Sequence, residues 1–303
     1  MQRQKSLSCL KRISQLDCKP DLSLLPRGIR MRMRRILLKC FHLSIGLGLL
    51  ITAGSEVQAS ATESCKKILS TGNPEYPPYL WRDPDDENRL IGANADFVQA
   101  IGKEIGIPVE VRYLGPWGRV QEEAKLGRVD LLAGAFLTLP RFDYMDYVYP
   151  AFRETSTVIW VRKGGKVRYK KWSDLTGKSG VTVINNSFGE EFDRYAKESL
   201  RISTVATLEQ ALAILNLGRA DYLIYEETPG LAIAAKNQIT SLQAVYPAIT
   251  NENLYLTVPH KSPCNTADIR SRLAKAMYKL DKQKVMDKLL ETNMELWRKQ
   301  HAK

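Results

Sequence analysis

The pentapeptide Leu-Gly-Arg-x-Asp is written twice in this chain, at residues 126–130 and 217–221, each time between a helix-like run and a strand-like one. No other feature limits the fold as much, because the repeat predicts two lobes of one design. In both copies the glycine falls where a helix would end in a left-handed turn. The aspartate then opens a short apolar run, residues 131–135 or 222–225, that reads as a buried strand. In an open α/β sheet, ligands gather beyond the carboxyl ends of the strands. The segment after each repeat should therefore face a binding site. Arg141 comes after the first copy and Glu226 after the second.

The intervening segments keep the same rhythm. Residues 67–71 read as a short strand that runs into Gly72-Asn-Pro-Glu-Tyr-Pro-Pro-Tyr79, a turn-rich loop with aromatics. Asn94 is placed to cap a helix with Phe97, Val98, Ile101 and Ile105 on one face, ended by Gly106 and Pro108. Val109, Val111 and Tyr113 alternate as a strand, and residues 117–126 form the helix that leads into the first repeat. This order, β-α-β-α-β, predicts a parallel sheet. After the β-prone stretch 157–161 the pattern restarts, with a strand at 180–184 and capping boxes at Ser187-Phe-Gly-Glu190 and Thr207-Leu-Glu-Gln210. Each lobe then has roughly 90 to 150 residues, enough to bury its own core. The tail, 265–303, reads as two amphipathic helices, with Ile269, Leu273, Met277 and Leu280 on the first and Val285, Leu289 and Trp297 on the second. Such a tail is expected to pack back on the starting lobe.

The formal charge of +12 would by itself suggest nucleic acid or an acidic membrane surface. It is concentrated at the front: residues 1–60 carry 11 Lys and Arg against 3 Asp and Glu, leaving 34 against 30 for the remainder. No nucleic-acid partner is implied. The front has a secretory layout, with Arg32, Arg34, Arg35 and Lys39, an apolar run over 40–53, and a small-residue cleavage site at Val57-Gln58-Ala59. The apolar run is shorter than the ~20 residues a membrane span needs, so residues 1–60 are read as a leader with a cleaved signal peptide and Met31 as a candidate true start. Export leaves Cys65 and Cys264, which an oxidising compartment would join as one disulfide; two unpaired buried thiols are the alternative. A metal site is not supported, since beyond the leader there are only His260 and His301 and no Cys-x-x-Cys.

No catalytic motif is present: there is no Gly-rich phosphate loop, no Gly-x-Ser-x-Gly and no His-Glu-x-x-His. Six segments in order do form a pattern: Asn73-Pro-Glu-Tyr-Pro-Pro-Tyr79, Leu90-Ile-Gly-Ala-Asn-Ala-Asp-Phe97, Leu126-Gly-Arg-Val-Asp130, Thr138-Leu-Pro-Arg141, Ser173-Asp-Leu-Thr-Gly-Lys178 and Leu217-Gly-Arg-Ala-Asp221. Over residues 65–298 this resembles the family 3 extracellular solute-binding proteins, the periplasmic receptors of polar amino acid ABC transporters. The resemblance implies the two-lobed type II periplasmic-binding-protein fold of class α/β, each lobe a mostly parallel sheet flanked by helices, joined by two hinge strands. Lobe 1 would comprise 61–156 plus 252–303 and lobe 2 would comprise 157–251, with hinges at 155–158 and 252–254. It also implies a periplasmic, monomeric, non-enzymatic protein that needs no cofactor, closes on a small amino acid-like solute and serves an ABC permease in the inner membrane.

The resemblance extends to individual residues. Arg141 matches the family's carboxylate-binding Arg, whose guanidinium fork fits a carboxylate in two parallel bonds. Glu226 stands where the family usually places an Asp that takes the ligand's ammonium group, one methylene longer. Tyr76 matches the aromatic wall over the ligand, and Trp117 lies near the side-chain pocket. Ser187 would open a helix whose free backbone N–H groups face the cleft and favour an anion. Asp130 and Asp221 are assigned to structure. The sequence departs from the family pattern in a segment between Asp130 and Thr138 that is one residue short, and in Phe136 where a Ser or Thr hydroxyl usually helps hold the amine. Losing a hydroxyl and gaining a ring at this position predicts a more apolar pocket. Two other readings use the same fold: a sensory module that presents its solute without transport, and an enzyme similar to the cyclohexadienyl dehydratases with Glu226 as general acid.

Overall fold

A computed structural model of the chain describes residues 65–301. The leader and its signal peptide, predicted over 1–60, lie outside them. The short strands β1 (Ile68–Thr71), β5 (Val109–Val111) and β6 (Leu131–Phe136) pair in parallel in the order β5-β1-β6. Later in the chain, β8 (Ser179–Val183), β9 (Arg201–Val205) and β10 (Tyr222–Glu226) do the same in the order β10-β8-β9. Between the two sets run two long antiparallel strands, β7 (Met145–Arg162) and β11 (Leu242–Pro259). The result is one eight-stranded sheet, β5-β1-β6-β11-β7-β10-β8-β9. A three-stranded hairpin sheet, β2 (Glu75–Tyr76), β3 (Leu80–Arg82) and β4 (Leu90–Ile91), stands apart from it. This is the two-lobed α/β architecture predicted from the repeat.

Among the described residues, β7 and β11 are the strands that cross from one lobe to the other. In the first lobe β11 is the inner strand, pairing Leu254 with Phe136 and Thr257 with Leu132 of β6. In the second lobe β7 takes that role, pairing Glu226 with Thr157 and Leu223 with Trp160 of β10. Thr155 faces Glu252 and Ser156 faces Asn251 at the crossing, the stretch read from sequence as the hinges. Apolar side chains on both faces of the sheet explain why these strands are buried: Val158, Ile159, Trp160, Leu223, Ile224 and Tyr225 are all at most 1% exposed.

The repeated pentapeptide does the same local work in both lobes. Gly127 and Gly218 take φ of 72° and 74°, stopping α2 (Trp117–Lys125) and α4 (Leu208–Asn216) in the left-handed region where a Cβ would be strained. Each aspartate then ties its strand to the parallel neighbour. Asp130 accepts from the Leu69 backbone N–H at 2.8 Å and the Ser262 hydroxyl at 2.6 Å; Asp221 accepts from the Ser179 N–H at 2.8 Å and the Ser179 hydroxyl at 3.0 Å. Both aspartates are spent on the scaffold.

Three local readings are corrected. Asn94 does not cap α1 (Ala93–Ile105): Gly92 holds the cap position, and Asn94 is buried in the first turn with its Nδ2 donating to the Ala133 carbonyl at 2.6 Å. The box at Ser187-Phe-Gly-Glu190 does not form, because α3 (Glu190–Ser199) starts after Gly189 without a side-chain cap and Ser187 bonds Asp193 instead. At the second box, Thr207 accepts from the Gln210 N–H at 3.2 Å, while the Gln210 side chain reaches back one residue further, to the Ala206 N–H at 3.1 Å.

The tail forms α6 (Ala267–Lys282) and α7 (Val285–His301), which pack on α1 of the first lobe. Trp297 meets Trp81 edge-on at 5.3 Å between ring centroids, and the Asn293 amide donates to Asp96 at 2.7 Å. Among the described residues no helix is long and apolar enough to cross a membrane. Cys65 and Cys264 are joined as a disulfide across a sequence separation of 199 residues, which pins the start of β1's lobe to the approach of α6. Closing so long a loop is worth up to about 5 kcal/mol in the chain-entropy picture. A Cys65→Ser/Cys264→Ser double variant should therefore lose several kcal/mol in urea unfolding, and an unchanged midpoint would show that the bridge contributes nothing.

Candidate functional site

The carboxyl ends of β6 and β10 meet at the crossing of the two long strands, and a cavity lies there. Its wall includes Tyr76, Trp117, Phe136, Arg141, Ser187 and Glu226, so the six side chains singled out from sequence converge on one place. Asn73, Asn94, Asn186 and Leu254 are among the other lining residues, with Leu80 and the β6 residues 133–135. The cavity measures about 30 Å³. That is enough for ordered water and far below the ~300 Å³ and above typical of drug-sized ligands. A solute the size of an amino acid does not fit in it as it stands.

Arg141 sits in a short 3-10 turn, Leu139–Asp143, directly after β6 and is 5% exposed. Its Nη1 donates to the Phe136 carbonyl at 2.9 Å, its Nη2 to the Asn185 carbonyl at 3.5 Å, and its guanidinium lies 5.5 Å from the centre of the Trp117 ring. Both hydrogen-bond partners are neutral carbonyls, so the buried positive charge is oriented and left without a carboxylate partner. Trp117 thus has two roles: its ring belongs to the core beneath α2 and also backs the guanidinium.

Glu226 ends β10 and is 6% exposed. Its Oε2 has no hydrogen-bond partner. Burial drives its pKa up from 4.5 to about 7, partly opposed by its own backbone amide and by the positive charge of Arg141. Two opposite charges from two lobes therefore share one cavity without pairing. Tyr76, on β2, is buried beside them with its hydroxyl also unpartnered, and burial and the Glu226 charge push its pKa well above 10.

Ser187 reaches the cavity, but the anion-binding helix start expected there is absent. Its hydroxyl donates to Asp193, and the Phe188 amide is taken by the same carboxylate at 2.9 Å. Burial raises the Asp193 pKa, and these two bonds oppose the rise. Phe136 is 4% exposed and presents its ring where a hydroxyl was missing from the sequence pattern. Leu80, Ala133, Ala135 and Leu254 add further apolar surface to the lining.

Both rims of the cleft are bridged. On one side Gln121 donates to the Asn185 carbonyl at 3.1 Å and the Leu139 N–H donates to Glu190 at 3.1 Å. On the other, the Leu208 N–H at the start of α4 donates to the Glu75 carboxylate at 2.6 Å, and Asn73 donates to the Tyr225 hydroxyl at 3.1 Å. Burial raises the Glu75 pKa to about 7. Sequence reading missed Asn73, Asn94 and Leu254 as lining residues. Asn94 had a usable signal, a polar side chain among the apolar positions of a helix's buried face.

A buried carboxyl with a raised pKa makes stability depend on pH in a defined direction. The folded protein holds the Glu226 proton more tightly than the unfolded chain does, so this stabilisation is full below about pH 4.5 and is lost as pH rises through about 7. Glu226→Gln mimics the protonated form. In the absence of solute it should be more stable than the parent at pH 8 by roughly 2–4 kcal/mol, the difference fading toward pH 4. A pH-independent difference in melting temperature would show that Glu226 titrates like an exposed acid.

Comparison with known proteins gives the fold a name. The chain resembles a mutant of ArgBP from T. maritima, with a TM-score of 0.64 and 19% identity over 77% of this chain and 97% of that one. It resembles the amino acid ABC transporter substrate-binding protein AbpA from Streptococcus pneumoniae bound to L-arginine, with a TM-score of 0.64 and 19% identity over 78% and 98%. A histidine kinase sensor domain with similarity to periplasmic binding proteins aligns with a TM-score of 0.62 and 23% identity over 79% and 97%. At these identities the likeness speaks for the fold alone. Comparison with curated protein sequences returned no match. Residues 69–295 match the family model described as bacterial extracellular solute-binding proteins, family 3. That match covers most of the chain, which belongs to this family of bacterial extracellular solute-binding proteins.

Proposed function

We propose that this protein captures a small zwitterion, an amino acid or close relative, in the cleft between its lobes and delivers it to an ABC permease from the periplasm. The observation that carries the reading is the pair of unpaired, buried, opposite charges. A charge taken out of water costs several kcal/mol unless something compensates it, and here Arg141 and Glu226 lack that compensation. A carboxylate lying on the Arg141 fork and an ammonium group on Glu226 would supply it at both ends. In this reading lobe 1 comprises 61–156 plus 252–303, lobe 2 comprises 157–251, and the leader directs export.

The small cavity and the bridged rims support a hinge motion at residues 155–158 and 252–254. Opening would break the rim hydrogen bonds, and a bound zwitterion would replace their stabilisation. The protein is read as a receptor without enzymatic activity. The fold shared with a kinase sensor domain supports a second reading, presentation of the solute to a membrane sensor. Stimulation of a permease's ATPase by the loaded protein separates the two.

A thermal-shift screen over the twenty amino acids, small amines and organic acids tests the reading. The cognate solute should stabilise the protein by about 3 kcal/mol at a hundredfold excess over its dissociation constant. Arg141→Ala should abolish the shift, and Arg141→Lys should weaken it strongly because an ammonium cannot make the forked contact. Unchanged affinity in Arg141→Ala would overturn the assignment.

A further inference from the structure

An ammonium group brings three N–H donors, and Glu226 offers one free oxygen. The family pattern would place a hydroxyl at position 136, and this chain has a phenyl ring there. The remaining acceptors can be found among buried polar atoms that line the cavity and have no partner in the protein. Four residues qualify: Tyr76 through its hydroxyl, Asn94 through Oδ1, Asn186 through Nδ2 and Glu226 through Oε2. Each such atom costs about 1–3 kcal/mol if nothing ever bonds it. Four around one small cavity point to a ligand.

Chemistry sorts the four. Asn186 presents an amide nitrogen, a donor, and belongs with Arg141 at the carboxylate end. Asn94 is an acceptor, and its orientation is fixed. Its Nδ2 donates to the Ala133 carbonyl at 2.6 Å, an oxygen that can only accept, so Oδ1 must be the free atom. Asn94 is 2% exposed, which leaves Oδ1 no access to bulk water. The positive end of α1 does not reserve this position for an anion, because its first amides are occupied. The Ala93 and Asn94 N–H groups donate to the Pro78 and Tyr79 carbonyls at 3.0 and 2.7 Å. Asn73, by contrast, already has a partner at each end of its amide, Tyr225 and the Glu75 N–H, and so is not among the orphaned atoms.

We infer that Asn94 is a specificity residue of this site: its Oδ1, with Glu226 Oε2 and the Tyr76 hydroxyl, receives the three N–H bonds of the solute's ammonium group. This rests on the zwitterion reading above. Asn94 does what a Ser or Thr hydroxyl at position 136 would do. The cradle then carries one negative charge and two neutral acceptors, matched to a primary ammonium. A secondary or tertiary amine would leave acceptors unpaired against its substituents.

The test compares each of the twenty amino acids with its des-amino carboxylic acid, by calorimetry on the parent, Asn94→Leu and Asn94→Asp. Leu fills the space and removes the acceptor; Asp keeps an acceptor and loses the bond to Ala133. For the amino acid that binds the parent, Asn94→Leu should cut the preference over the des-amino acid at least tenfold while leaving the affinity for the des-amino acid within about threefold. Asn94→Asp should keep the preference. Should the Leu variant not fold, Asn94→Ala takes its place. If Asn94 only pins α1 to β6, Leu and Asp will weaken both ligands in parallel, and the inference is overturned. An unchanged preference in Asn94→Leu overturns it as well. If none of the amino acids binds the parent, the zwitterion reading falls and takes this role with it, a result distinct from binding that ignores Asn94.

Discussion

Everything in this protein is positioned by the antiparallel pairing of two long strands, β7 and β11. They are the only elements of the sheet that run through both lobes. Each is inner strand to one lobe and second strand to the other, so the carboxyl ends of β6 and β10 are brought to one point from opposite directions. Arg141 lies just beyond the first of these strands and Glu226 ends the second. A parallel βαβ lobe places ligands at the ends of its strands; a crossing pair makes two such lobes place theirs at the same spot. Two strands are also a slender joint, and the hydrogen bonds across both rims are what a hinge of that kind would make and break.

The cavity at this point differs from the rest of the described interior in leaving buried charged groups without an ionic partner. Elsewhere the buried carboxylate of Asp83 holds Arg89, and the half-buried Asp130 accepts from a backbone amide and a hydroxyl. Around the cavity a buried guanidinium bonds carbonyls and has no carboxylate partner, and a buried carboxylate keeps one oxygen bare. Proteins break the rule of internal satisfaction mainly where a ligand completes it. The raised pKa of Glu226 has the same origin, a carboxylate without the water or the cation that would stabilise its charge.

Much of this arrangement was legible in sequence. The repeat announced two similar lobes, its glycines marked the helix ends, and counting past each aspartate led to Arg141 and Glu226. The two helices of the tail were evident from their apolar spacing. Errors fell on residues with a choice of local partner. Asn94 and Ser187 both stand where capping was the obvious use of a short polar side chain, and both bond something else: Asn94 a carbonyl 39 residues away and Ser187 the carboxylate of Asp193. Capping rules count residues along the chain, and tertiary contacts compete for the same donors.

The sequence by itself determined the repeated unit, the alternation of strand and helix within each lobe and the chemical character of the site, because these depend on periodicity, glycine conformation and residue type. Only the tertiary structure decided that opposite charges from distant segments stay unpaired in one cavity, that Trp117 backs the guanidinium and that Asn94 turns its oxygen inward. Those outcomes depend on distances between residues remote in the chain and on which hydrogen-bond partner is within reach. No pattern of neighbours along a sequence encodes either.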